Sequence, residues 1–463
     1  MLHGSIWNKI PLFALPVAMT AILEQLFNAS DIAVVGNFTG KMGTIAVAAV
    51  GANSPIISLI VNLFIGIALG TTVVIANAIG RDDQKTVHHA VHTSILMAIV
   101  GGFVVTIIGE LGAGYVLSML NVPHDVYGQA LLYLRIYLLG MPVILLYNFE
   151  AAIFRSVGDT KVPLKTLVVS GIINVILNLF FVIVLKMTVN GVAIATVISN
   201  LISAIILLNK LIKTDQYIHV NLKDLRIYKV SLVRILKIGM PAGIQSAVFA
   251  LANIVIQAAI NSLGTVVIVA SSAAFNIEIF AYDILNSFGQ VCTTFVGQNH
   301  GAGKIDRCKK TLYLCLIEDA IASAIAIALI IVSGKFLLSL FNNNPQVIKI
   351  GYTRLIIVFT AYTFSMLYEV MSGYLRGFGI SLVPAIFTCI CICGTRVLWV
   401  ETVFKSYPTF TTIMCAYPLS LSLTAIVIFF TLMYYRPSKK MLNKKVFSMM
   451  FLLSALLVGC SST

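Results

Sequence analysis

The sequence predicts an all-α membrane protein of twelve transmembrane helices, set in two six-helix lobes related by a pseudo-two-fold axis along the membrane normal. Three observations carry this expectation. Of the 463 residues 59% are hydrophobic and only 10% charged, with a mean hydropathy of +0.98, outside the range of soluble domains of this length. Apolar stretches recur that approach the roughly 20 residues needed to cross a hydrocarbon core, too long and too unalternating for barrel strands. The second half of the chain also repeats landmarks of the first at a fixed offset.

Polar or glycine-bearing breaks place six spans near 10–35, 45–79, 90–109, 127–154, 163–185 and 190–212, and six more near 235–260, 266–297, 311–333, 346–375, 383–403 and 411–434. With both termini cytoplasmic, the inside segments carry 23 Lys or Arg and the outside segments five, the asymmetry of the positive-inside rule. Leu146-Tyr147, Arg155, Gly158 and Val162-Pro163 recur as Leu367-Tyr368, Arg376, Gly379 and Val383-Pro384, each displaced by 221 residues, and Gly80 and Gly301 keep that offset. Pro16 and Pro241 correspond at an offset of 225. The expected organisation is an N-terminal lobe over 1–212, a basic cytoplasmic linker over 213–234, a C-terminal lobe over 235–435 and a basic tail over 436–463. Two such bundles suit alternating access.

The composition excludes several classes. The formal charge of +14 lies in short clusters between apolar spans, a pattern of topology rather than of nucleic-acid binding. Eight cysteines make no disulfide or zinc pattern; Cys389, Cys391 and Cys393 alternate within one span and point apart on a helix. His88 and His92 have a chelating i, i+4 spacing but read as interfacial residues, so no metal is expected. There is no phosphate-binding loop for ATP. The first span lacks a small-residue cleavage site and is expected to remain in the mature protein. The stretch from Met441 has a basic start, a short apolar run and Leu457-Val458-Gly459-Cys460, resembling a lipoprotein signal. It is read either as a fused downstream frame or as an interfacial amphipathic tail.

Polar residues inside the spans carry the functional reading. In the first, Glu24, Asn28 and Asp31 fall at i, i+4 and i+7, a stripe expected to face protein or water, and Pro16 makes the same helix a candidate for kinking. Burial of Asp31 is expected to make its proton exchangeable. Asn174 and Asn178 are i, i+4 in the fifth span, and Thr196 sits among small residues in the sixth. Such oxygens suit a proton site or a hard-cation site; interhelical hydrogen bonding alone explains any one of the three, and together with Asp31 they point to a site. Asn253, Gln257 and Asn261 line one face of the seventh span; Asn276, Asp283, Asn286 and Gln290 line one face of the eighth. Glu150, Glu278 and Glu369 are further acids within spans. Glu24, Asn28, Gln257, Asp283, Asn286 and Glu369 are the candidate cavity or substrate residues.

At these residues the chain resembles the multidrug and toxic compound extrusion family, cation-coupled transporters of two six-helix lobes. The resemblance covers roughly residues 10–435. It rests on Leu15-Pro16 followed by Asp31 and Val35-Gly36, on Gly80-Arg81, and on the run from Arg155 to Pro163. Gly239-Met240-Pro241, the run from Val296 to Gly303, and Leu375-Arg376-Gly377 complete it. It implies an N-lobe coupling site at Asp31, Asn174, Asn178 and Thr196, with proton or sodium as the coupling ion and no other cofactor. Some members have an aspartate where this chain has Asn178, and members with a C-lobe site carry a glutamate in the seventh helix, where Ala247 to Leu251 is apolar here. The implied activity is antiport of amphipathic, mostly cationic organic compounds. The implied setting is the bacterial cytoplasmic (inner) membrane, as a monomer in the lipid bilayer and not an enzyme. A flippase for a lipid-linked precursor on the same fold is the alternative. An intramembrane hydrolase lacks a nucleophile and base in a common place, and a channel has less need of buried carboxylates.

Overall fold

A computed structural model describes residues 1–435 apart from Asn121, together with Pro437. The lipoprotein-like stretch at 441–463 lies outside the described residues. All regular structure among them is helical. The spans are α1 (Lys9–Phe38), α2 (Gly43–Gly80), α3 (Gln84–Met119), α4 (His124–Leu139 and Met141–Val157), α5 (Lys161–Val184) and α6 (Val189–Lys213). The second set is α7 (Lys229–Asn261), α8 (Thr265–Gly301), α9 (Ile305–Ser339), α10 (Pro345–Gly377), α11 (Leu382–Phe404) and α12 (Phe410–Tyr435). Eleven are long and apolar enough to cross a membrane as they stand, and α4, bent by 50° at Gly140, makes up to twelve.

The helices outrun the hydropathy boundaries. α3, expected over 90–109, has 36 residues, about 54 Å at 1.5 Å per residue, well beyond a hydrocarbon core of about 30 Å. Its polar start remains helical because Asp83 caps it, accepting from the Thr86 backbone N–H at 3.0 Å and so satisfying one of the orphan donors of the first turn. Outward faces are apolar: Leu111 is 84% and Val332 88% exposed, the surface a bilayer would cover.

The repeat seen in the sequence is also structural. Gly158 ends α4 at φ +96° and Gly379 follows α10 at φ +82°. Each donates to the arginine three residues back, at 3.0 Å to Arg155 O and 2.8 Å to Arg376 O. The left-handed conformation that closes both helices is one glycine adopts without a Cβ penalty. Wide π-helical turns recur as well, at Phe180–Val184 in α5 and at Val400–Phe404 in α11.

The chain forms two compact units, one of Met19–Gly243, the other of Met1–Ala18 with the described residues from Ile244 onward. Both divisions fall inside helices, α1 and α7, and not in the 213–234 linker. In the N-terminal unit, α2 and the first half of α7 meet through two glycine pairs. A Cβ on Gly66 or Gly70 would collide with backbone at Gly243, Ile235 or Gly239, and one on Gly239 or Gly243 with Ile67 or Leu63. This is the small-xxx-small packing by which membrane helices approach closely. In the C-terminal unit, α10 lies against α8 and buries Phe359, Tyr368 and Tyr374 with Phe288 and Phe295.

Candidate functional site

Asp31 lies in the second half of α1, buried at 5% exposure. Gly171 of α5 faces Phe27, whose ring occupies the place a Cβ would need. The two helices can therefore close up, and four residues further along α1 the Asp31 carboxylate reaches the amides of α5. Asn178 Nδ2 donates to Asp31 Oδ1 at 2.6 Å and to Asn174 Oδ1 at 3.1 Å. From α6, Thr196 Oγ1 stands 3.1 Å from Asp31 Oδ2 and 3.0 Å from Val192 O, able to donate to either. Asn174 Nδ2 lies 3.5 Å from that hydroxyl. All four residues named from the sequence thus meet in one place within the N-terminal unit.

This arrangement suits an anionic carboxylate holding two donors in a buried setting. It is also rich in acceptors, because the buried Oδ1 of Asn178 has no partner. Amide orientation is assigned from the hydrogen-bond network, and turning that amide would present Oδ1 to a proton on Asp31 or to a cation. With one formal negative charge and otherwise neutral oxygens, the donor set matches a proton or a monovalent hard cation better than a divalent one. Among the described residues no group of three or more His, Cys, Asp or Glu is placed to hold a metal.

The stripe expected along α1 divides: Asp31 is buried, Glu24 half-buried and Asn28 exposed. The other candidates belong to the C-terminal unit. Gln257 is half-buried and donates to Asn261 Oδ1 at 2.8 Å, and Asp283 and Asn286 are half-buried on α8. Glu369 is buried 3.6 Å from Arg376 Nη2, a paired acid rather than an open one. α1 runs unbroken through Pro16.

The family model described as MatE matches residues 16–180 and 241–399. The chain belongs to the MatE family. This MatE protein is 27% identical over 400 residues to the probable multidrug resistance protein YoeA of Bacillus subtilis (strain 168), covering 85% of this chain and 86% of that protein. It is 23% identical over 316 residues to the FAD transporter of Shewanella oneidensis, covering 67% and 70%. Among solved structures it superposes on an outward-facing multidrug resistance MATE family transporter of the MOP superfamily with a TM-score of 0.85 at 20% identity, covering 95% of this chain and 98% of that one. A MOP superfamily transporter from Pyrococcus furiosus, described as having a binding pocket of reverse polarity, gives a TM-score of 0.85 at 22% identity and the same coverage. At these identities the structures establish the two-lobe fold.

Sequence reasoning missed the partners of two acids and one cation in the C-terminal unit of this MatE chain. Glu278 was singled out, but not its partner Arg354, which holds it through Nε at 3.0 Å and Nη2 at 2.6 Å. Glu369 and Arg376 are both singled out in the sequence, one as a cavity candidate and the other as a repeat landmark, but not as a pair. Arg396, fully buried in α11, went unnoticed. The available signal was the presence of arginine inside an apolar span, which is itself costly and so informative.

Proposed function

We propose that this MatE protein is a cation-coupled secondary exporter, with proton or sodium exchanged at Asp31 against amphipathic organic compounds. The observation that carries the reading is the buried Asp31 carboxylate held by Asn178 and Thr196, with an unpartnered amide oxygen beside it. Binding of the coupling ion consumes the charge that these donors stabilise, so the packing of α1 against α5 and α6 differs between the occupied and empty states. Export is then coupled through the difference in affinity of the two states for ion and substrate. Bending of α1 near Pro16, where the ring removes one helical hydrogen bond, is the proposed mechanical response. Organic cations are the substrate class implied by the resemblance. Relatives named for multidrug export support a broad range, and the FAD transporter supports a range that reaches past cations.

The test is efflux of a fluorescent organic cation from reconstituted vesicles, with proton and sodium gradients imposed separately, for wild type and Asp31→Asn. Efflux driven by one gradient and abolished in a normally inserted variant is the expected result and names the ion. Absence of gradient-driven movement by folded wild type would overturn the reading in favour of a flippase for lipid-linked substrates.

A further inference from the structure

We propose that the C-terminal unit holds a recognition site for an anionic group, a carboxylate or phosphate, with Arg396 as the residue that binds it. The proposal concerns substrate class and rests on the transport reading above.

Two arginines are fully buried in this unit, and they differ in one respect. Arg354 is neutralised: Glu278 takes its Nε and Nη2 in a bidentate pair and Ser271 Oγ accepts from Nη1 at 2.7 Å. Arg396, at 0% exposure, has only neutral acceptors. Its Nη1 donates to Asn253 Oδ1 at 2.7 Å and its Nε to Ser420 Oγ at 3.3 Å. Its Nη2 is buried and has no acceptor, and among the described residues no carboxylate lies within ion-pair distance of it. Arginine keeps its proton in proteins, so the charge persists. A guanidinium buried without a counter-ion is costly, and an anion delivered from outside supplies what Glu278 supplies to Arg354.

The surroundings bound the site. The Tyr417 ring lies 4.4 Å and the Phe249 ring 5.3 Å from the Arg396 guanidinium carbon, cation–π neighbours that offset part of the cost of burying the charge but accept nothing from Nη2. Asn253 and Phe249 are half-buried on α7, so the polar edge is reached from that helix, while Tyr417 and Ser420 close the other side. Arg396 itself sits in a short α-helical stretch, Thr395–Trp399, between the π-helical turns Cys389–Gly394 and Val400–Phe404. Such wide turns concentrate at functional sites.

An anionic group is offered by a lipid headgroup and by a free organic anion alike, and the experiment separates them. Purified full-length protein in nanodiscs of a zwitterionic lipid is titrated with fluorescein, an anionic xanthene, and with rhodamine 6G, a cationic xanthene of the same ring system, and read by fluorescence anisotropy. Saturable fluorescein binding is expected, weakened about tenfold or more by Arg396→Gln and less by Arg396→Lys, with rhodamine 6G binding unchanged. Asn253→Asp is the decisive variant: nearly isosteric, it supplies Arg396 with an internal counter-ion, so the fold is kept and fluorescein binding is lost. Displacement of fluorescein by added phosphatidylglycerol assigns the site to a headgroup, and persistence assigns it to a free anion. No saturable fluorescein binding by wild type, or equal binding by wild type and Asn253→Asp, would overturn the proposal. The measurement needs neither a gradient nor Asp31. Binding without export therefore counts against the transport reading alone, and export without fluorescein binding against this site alone.

Discussion

Asp31 and Glu278 are both buried acids within apolar helices, and their partners give them opposite natures. Asp31 is held by neutral donors that can turn; Glu278 is clamped by a guanidinium that cannot lose its charge. On the proposed reading the first is a group that exchanges, whereas the second fixes α8 to α10. Removing the Asn178 donor with Asn178→Ala leaves Asp31 with Thr196 alone. We expect normal insertion and a fall in gradient-driven export, checked in the same vesicles as Asp31→Asn; wild-type export by the variant would remove Asn178 from the site. Glu278→Ala strands a buried charge and is expected to cost about 3–5 kcal/mol, read as a lowered midpoint of thermal unfolding in detergent. Glu401→Ala breaks an exposed pair with Lys405 and is expected to cost under about 1 kcal/mol. The residues proposed for coupling were legible because a carboxylate or paired amides in an apolar span demand an explanation. Arg354 and Arg396 were not, because reading basic residues as markers of topology directs attention to loops.

Helix existence was legible and helix ends were not, for a shared reason. Hydropathy reports only the part of a helix that lipid must cover, so the polar starts of α3 and α9 read as loop, though capping and packing keep them helical. The break in α4 at Gly140 has its cause in the sequence, Gly140-Met141-Pro142, but an apolar run gives no sign of it. Asp83 illustrates the capping term. Its hydrogen bonds to the Thr86 hydroxyl and backbone N–H hold its carboxyl below the usual carboxylate range. That stabilisation is present above the ordinary carboxylate pKa and is lost as pH falls through the depressed one. Asp83→Ala is expected to cost about 1 kcal/mol at neutral pH, with the gap between variant and wild type closing on acidification. A gap in unfolding midpoint that stays constant with pH would show that the cap is not what Asp83 contributes. Packing of α2 on α7 is the stronger constraint. Gly66→Leu and Gly243→Leu each place a side chain where backbone already stands, and we expect neither protein to be recovered folded, whereas Gly112→Leu, with open space around the Cβ, should be recovered normally.

At the scale of the molecule the internal repeat was legible down to Gly158 and Gly379, yet the division into units was not, because contact and chain order part company at α1 and α7. The C-terminal unit takes Ile6, Ile10 and Phe13 from the start of the chain into its core, with the Phe13 ring edge-on to Phe295 at 5.9 Å. The N-terminal unit takes Lys229–Gly243 from beyond the linker, including the two glycines that seat α7 on α2. No hydropathy boundary marks either exchange, since both fall inside continuous helices. A cut in the linker therefore separates two incomplete pieces: residues 1–224 lose the helix that fills the groove at Gly66 and Gly70, and residues 225–463 lose three core side chains whose absence leaves voids that packed interiors do not tolerate. Expressed singly, each half is expected to aggregate or to unfold well below the intact protein. Co-expressed, with an affinity tag on one half only, the two are expected to purify together and to restore export, because every contact of both units is then available. A half that alone is monodisperse and as thermally stable as the whole would mean that the exchanged segments are dispensable, and that each repeat folds as an independent domain.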